Sequence, residues 1–255
     1  MSLSDRLADL VKPDEERVLV IDIETSPNVA YVWGMWNQNV SISQLIEPSR
    51  VLCFAAKWLG ESKMSFYSEH HHGADSMVEA AWSMLDEADT VVGYNHVKFD
   101  VPHLQREFVL RGWTAPSPHV DVDLLRVARR QFKFASNKLG YVTDALGLDT
   151  KIETGGQQLW NRVLAGDDSA WREFKKYNIQ DVDITEQLFI LLSPWLKSAP
   201  HAGLWSGEMS ACYSCGSPDL EPAGFVFGKQ TVYPKLLCSC GSWSKVLRNG
   251  ETRPA

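Results

Sequence analysis

The sequence predicts an α/β fold, a mixed central sheet flanked by helices, followed by a small separate domain. Three observations lead there. Strand-like apolar runs crowd the first part of the chain, helix-like periodic runs then alternate with short strands, and four of the five cysteines lie in the tail. The boundaries follow: one large domain over residues 1–198, a linker reading "KSAPHAGLWSG", and a small domain over 205–255. With 255 residues, 44% hydrophobic and 22% charged, the composition is that of an ordinary globular chain. No apolar run approaches membrane-spanning length. The charged start, "MSLSDRLADLVKPDEERV", lacks the pattern of a signal peptide, so a cytoplasmic location is expected. The net charge of −7 weighs against a non-specific nucleic-acid coat protein, and all of it falls before the tail, residues 1–204 carrying −8 and 205–255 +1.

The elements are predicted in order. Residues 17–24 form a strand, "AYVWGMWNQNVSI" a hairpin-like region, and "RVLCFAAKWLG" and "MSFYSE" two more strands. "HHH" at residues 70–72 reads as a solvated turn. A helix over 75–87 carries Met77, Ala81, Met84 and Leu85 on one face. "TVVGYN" is a short strand and 101–111 a helix. "DVDLLRVARRQF", "NKLGYVTDALGL" and "QQLWNRVLAG" are helices, and a long last helix covers 169–192.

Charge on the first strand is the first sign of chemistry. In "VLVIDIETSP" an apolar run carries Asp22 and Glu24, two apart and therefore on one face. Buried together, two carboxylates repel and desolvate badly, and a divalent cation with a taste for hard oxygen ligands is their economical partner. A strand ending at Ile21, with both acids in a solvated turn, explains these residues equally well. In "VVGYNHVKFDVPHL", Asp100 stands at a helix start, where an N-cap is the default. The last helix is more telling. Its apolar stripe runs Phe174, Tyr177, Ile184, Leu188, Leu191, and Asp181 falls on that stripe, whereas Glu173 and Asp183 fall opposite. A carboxylate on a buried stripe needs a cation, either a basic side chain or the metal that Asp22 and Glu24 call for.

"DIET", "NHVKFD" and "YNIQD" stand in this order, and with them the chain resembles the DEDD superfamily of 3′–5′ exonucleases over residues 17–195. Asp22 and Glu24 match the first motif, Asn95, Phe99 and Asp100 the second, and Tyr177 and Asp181 the third. The tyrosine is similar to the DEDDy branch; the place of the other branch's histidine holds Lys176. The likeness is closest to stand-alone exonucleases related to the proofreading domain of family-B DNA polymerases, often found in phage genomes. The resemblance implies an RNase H-like fold, a DNA 3′ end as substrate, a bacterial or phage-infected host cell, and hydrolysis with two Mg²⁺ or Mn²⁺ ions. It implies that Asp22 bridges both ions, that Glu24 and Asp181 complete one site and Asp100 the other, and that Tyr177 orients the attacking water or helps deprotonate it. Asn95 either steadies its loop or touches the substrate strand, and Phe99 is expected to touch that strand by stacking a terminal base.

Smaller expectations remain. Arg126, Arg129, Arg130 and Lys133 either steer phosphates or form a solvated helix face, and Asp121 and Asp123 cap that helix. Trp33 and Trp36 are core aromatics or base-stacking groups. Cys53 is a small buried hydrophobe. In the tail, Cys212 and Cys215 precede Cys238 and Cys240, and Gly216 and Gly241 follow each pair, which looks like a zinc ribbon with one structural Zn²⁺. Lys229, Lys235, Lys245 and Arg248 would serve either nucleic-acid backbone or a replication or repair protein docking there.

Overall fold

A computed structural model describes residues 15–148 and 156–255. They divide into two compact units, one spanning Val18–Phe189 and the other holding Ile190–Ala255.

The large unit is built on five strands: β1 (Val18–Thr25), β4 (Val51–Trp58), β5 (Met64–Ser68), β6 (Thr90–Gly93) and β7 (Val120–Asp123). Their order across the sheet is β5-β4-β1-β6-β7, antiparallel on the β5 side and parallel from β1 to β7. Two short strands, β2 (Val29–Ala30) and β3 (Leu45–Glu47), pair in a ribbon of their own. The predicted hairpin-like segment is therefore the long connection between these strands rather than the strands themselves. It carries no charged residue from Tyr31 to Ile46, and Trp33 and Trp36 stand in solvent at 99% and 84% exposure, not in the core.

The side chains of β1 alternate between two surroundings. Leu19, Ile21 and Ile23 enter the core with α2 (Ala74–Glu87) and α3 (Asp100–Leu110), through Met77, Val78, Ala81, Leu85, Leu104 and Phe108. The even-numbered residues face the other layer, formed by α6 (Gln157–Leu164) and α7 (Asp168–Leu192). There Leu159, Val163, Ala170, Trp171 and Phe174 pack on Leu52 and Cys53, and Cys53 is fully buried. Lys57 of β4 forms ion pairs with Glu186 and Asp183, which fixes α7 against the sheet. The stripe on α7 passes from Leu188 to Leu192, which is buried, and not to Leu191, which is exposed.

Three local readings are corrected. The histidine run forms the short helix α1 (Glu69–His72), where His70 stacks on Trp171 at 5.0 Å and bonds Asp168 at 2.8 Å. The helix expected over "DVDLLRVARRQF" begins only at α4 (Leu124–Gln131), because the V-D-V-D alternation before it pairs with β6 as a parallel strand. Asp123 caps α4, accepting from the Leu125 and Arg126 amides, whereas Asp121 bonds His96 at 3.0 Å instead. Helix α5 (Leu139–Ala145) follows.

The second unit contains the short helix α8 (Gly203–Ser206) and a four-stranded antiparallel sheet in the order β11-β10-β9-β8. Its strands are β8 (Leu220–Phe227), β9 (Val232–Cys238), β10 (Trp243–Val246) and β11 (Thr252–Pro254). The expected linker is part of this unit. His201 is buried, its Nε2 2.8 Å from Thr252 Oγ1, and Tyr213 donates to the Pro194 carbonyl at 3.0 Å. Polar side chains that look like a linker in sequence are bonded into the small sheet. Among the described residues no helix is long and apolar enough to cross a membrane.

Candidate active site

The first strand does not stop at Ile21. Thr25 is its last residue, so Asp22 and Glu24 belong to a paired strand, opposite Ala55 and Cys53 of β4. Those two small neighbours leave room for α7. From α7 comes Asp181, 3% exposed, and oxygens of Asp22, Glu24 and Asp181 all lie within 4.8 Å of one another. Three carboxylates so close repel strongly unless a cation lies among them, and an all-oxygen donor set of this kind suits a hard divalent ion.

Asp100 stands outside that trio, though it reaches the same strand. Strand β6 pairs with β1 only along Val18–Val20, so the amide of Ile23 has no ladder partner on that side. Asp100 Oδ1 accepts it at 2.9 Å. This replaces the N-cap role expected of Asp100; Phe99 occupies the cap position and Asp100 is the first helical residue. Burial pushes the Asp100 carboxyl up to about 6, against the opposing effect of the Ile23 amide and of His96.

Tyr177 lies one helical turn before Asp181, 8% exposed, with a side-chain hydrogen bond to it. Burial, then the charges of Asp181, Glu24 and Asp22, drive its hydroxyl far above the ordinary phenol range. Its hydroxyl donates to the Asp181 carboxylate. Trp160 meets the Tyr177 ring edge-on at 6.2 Å and donates from Nε1 to the Thr25 carbonyl at 3.1 Å.

Asn178 is a functional residue that the sequence reading missed. It is fully buried, and its Nδ2 donates to Asp22 Oδ2 at 2.7 Å and to the Asp22 carbonyl at 3.1 Å. Both bonds fix the orientation of the Asp22 carboxylate. A signal was present: Asn178 lies four after Phe174 and three before Asp181, a second polar residue on the apolar stripe.

Asn95 adopts a left-handed backbone at φ 70°, held by its amide on Asp123 Oδ1 at 3.0 Å. With Tyr94, Arg129, Asn137 and Lys138 it lines a cleft of about 780 Å³. Phe99 is 37% exposed and packs on His103 at 4.5 Å. Arg129 is the member of the predicted basic helix that reaches this cleft.

The cysteine cluster has the spacing a tetrahedral zinc needs. Thiolates 2.3 Å from a common zinc lie about 3.8 Å apart. Here Cys212 and Cys240 are 3.8 Å apart and Cys215 and Cys238 3.6 Å, with all four within 4.8 Å. Gly216 and Gly241, at φ 73° and 88°, turn the chain after each pair and donate back to the Cys212 and Cys238 carbonyls, turns that only glycine makes without strain. The cluster and its separate antiparallel sheet fit a zinc ribbon.

Comparison with known proteins adds two findings. The family model of the RNase H superfamily matches residues 19–193. A family-B DNA polymerase from the hyperthermophilic archaeon Pyrobaculum calidifontis shares the fold with a TM-score of 0.54 at 16% identity, over 86% of this chain. The match spans 32% of the polymerase. No curated protein matches the sequence.

Proposed function

The chain belongs to the RNase H superfamily, a nuclease-type fold, and on that premise we propose that it is a metal-dependent 3′–5′ exonuclease acting on DNA. The observation that carries the proposal is the meeting of Asp22, Glu24 and Asp181, from the first strand and the last helix of the large unit, at one point.

In this reading Asp22, Glu24 and Asp181 hold the catalytic cations, and Asp100 joins them with the oxygen that does not bond Ile23. Two Mg²⁺ or Mn²⁺, when bound, supply positive charge at the scissile phosphate and a water of lowered pKa. Asn178 holds Asp22 in one rotamer, so the cradle is set before substrate arrives. Tyr177 lies beside Asp181, and once the carboxylates hold cations its hydroxyl turns from Asp181 to the attacking water and orients it. Asn95, which lines the cleft, and the part-exposed Phe99 contact the terminal nucleotides. In the small unit Cys212, Cys215, Cys238 and Cys240 hold one Zn²⁺ that fixes the fold.

The test is a 3′-labelled DNA oligonucleotide incubated with Mg²⁺ or Mn²⁺. Mononucleotide release by the wild-type chain, absent in Asp22→Asn, is expected. Cutting of a circular single strand would mean an endonuclease. Faster loss of an RNA oligonucleotide than of its DNA counterpart would move the substrate to RNA. Binding without any cleavage in either protein would leave a non-catalytic module.

A further inference from the structure

The register of the small sheet gathers cations that are far apart in sequence. Lys245 of β10 is paired with Lys235 of β9 on one side and with Arg253 of β11 on the other. Residues paired across strands project from the same face, so three positive side chains form a row across the sheet. Trp243, paired with Leu237, and Tyr233 share that face. The opposite face is buried near the cysteines, at Cys238, Ser244 and Thr252, and exposed at the β8–β9 end, where it carries Phe225, Phe227 and Val232.

Like charges in register destabilise a sheet, so such a row needs an anionic partner. Its own acids do not suffice. Glu251 pairs with Arg253 at 2.8 Å, and Glu221, opposite Leu237, is the other acid on the face among the described residues. The two lysines rest instead on aromatic rings, Lys235 Nζ 4.7 Å from the centre of Trp243 and Lys245 Nζ 5.7 Å from that of Tyr233. Trp243 remains 42% exposed. Spaced cations interleaved with accessible aromatic rings match a strand of phosphates with unpaired bases. We infer that this face of the ribbon is a second nucleic-acid site, binding single-stranded chains through their phosphates on Lys235, Lys245 and Arg253 and through base stacking on Trp243. Arg253 was not among the basic residues singled out from the sequence; only strand register puts it in the row.

The site is independent of hydrolysis, and its test keeps the two apart. The full chain carrying Asp22→Asn, so that the probe survives, is titrated against fluorescein-labelled oligothymidylate and oligouridylate of 20 nucleotides at several salt concentrations. Adding K235Q and K245Q together is expected to weaken binding at least about tenfold and to flatten the log–log salt slope by about 1.4, at ~0.7 per lost phosphate contact. K235R with K245R is expected to bind like the parent. Trp243→Leu is expected to weaken binding with the slope unchanged. The loss caused by K235Q with K245Q is expected to be alike on the DNA and RNA probes, since nothing in the row reads the 2′-hydroxyl. Unaltered affinity and slope in the double glutamine variant, with stoichiometric zinc retained, would overturn the inference and leave the face to a protein partner. A loss more than tenfold larger on one probe than on the other would overturn its phosphate-based reading.

Discussion

The acidic cluster and the cysteine cluster are assembled in opposite ways. Asp22, Glu24 and Asp181 are delivered by β1 and α7, elements that the apolar layers around Leu52, Trp171 and Phe174 already hold in place. The four cysteines lie within 28 residues, in a unit whose larger apolar side chains face outward: Phe225 is 62% exposed and Phe227 77%. The large unit has a core that tolerates an unfavourable knot of charge; the small one has too little core, and its sulfur ligands take that place. A metal held by the first would serve chemistry, and one held by the second would serve folding.

Exchanging the roles of the two clusters breaks this comparison most sharply. Asp22→Asn is expected to reduce hydrolysis by about 10³-fold or more without lowering the melting temperature, because it removes one of three repelling charges. Cys238→Ser is expected to do the reverse, losing stoichiometric zinc and the cooperative melting of the small unit while hydrolysis of a short oligonucleotide stays within about threefold. Zinc analysis, calorimetry and a 3′-label assay on both variants measure this. A Cys238→Ser protein as inactive as Asp22→Asn would show the clusters to be one functional system.

Finer changes sharpen the acidic half. Tyr177→Phe deletes the hydroxyl bonded to Asp181 and is expected to lower kcat by about 10²-fold with little change in KM. Asn178→Ala frees the Asp22 carboxylate and is expected to cost 10- to 100-fold, roughly what loss of a ligand's supporting hydrogen bond costs in other metal sites, with more Mg²⁺ needed for half-maximal rate.

The smallest effect expected is one of pH. Burial holds the Asp100 carboxyl at about 6 in the folded chain, above its ordinary 3.8. The folded state thus favours the protonated form. Its contribution to stability is complete below the ordinary carboxyl range and is lost as pH rises through about 6. Without added divalent ions, the melting temperature is expected to fall between pH 4 and 7, and Asp100→Asn to flatten that fall.

Much of this architecture was legible because it rests on local pattern. Alternation on β1 placed Asp22 and Glu24 on one face, and the three-and-four spacing on α7 placed Tyr177 and Asp181 beside it. Paired cysteines followed by glycines announced the ribbon. What stayed hidden depends on partners distant in sequence. Asp100 looked like a cap because nothing local says that β6 is shorter than β1 on that side and leaves the Ile23 amide open. Residues 121–123 looked helical because a four-residue parallel strand is made by its neighbour more than by its composition. The stretch before residue 205 looked like a linker because the bond from His201 to Thr252 spans 51 residues.

The placement of Asp181 bears on how the protein is made. Strand β1 is translated early, yet its two acids lack their third companion until nearly all of the large unit has left the ribosome and α7 has docked. A prematurely terminated chain that reaches only α6 keeps both first-motif acids, Asn95 and Asp100, but has no complete cradle. On the proposed function, hydrolysis of nucleic acid would thus wait until folding is almost finished.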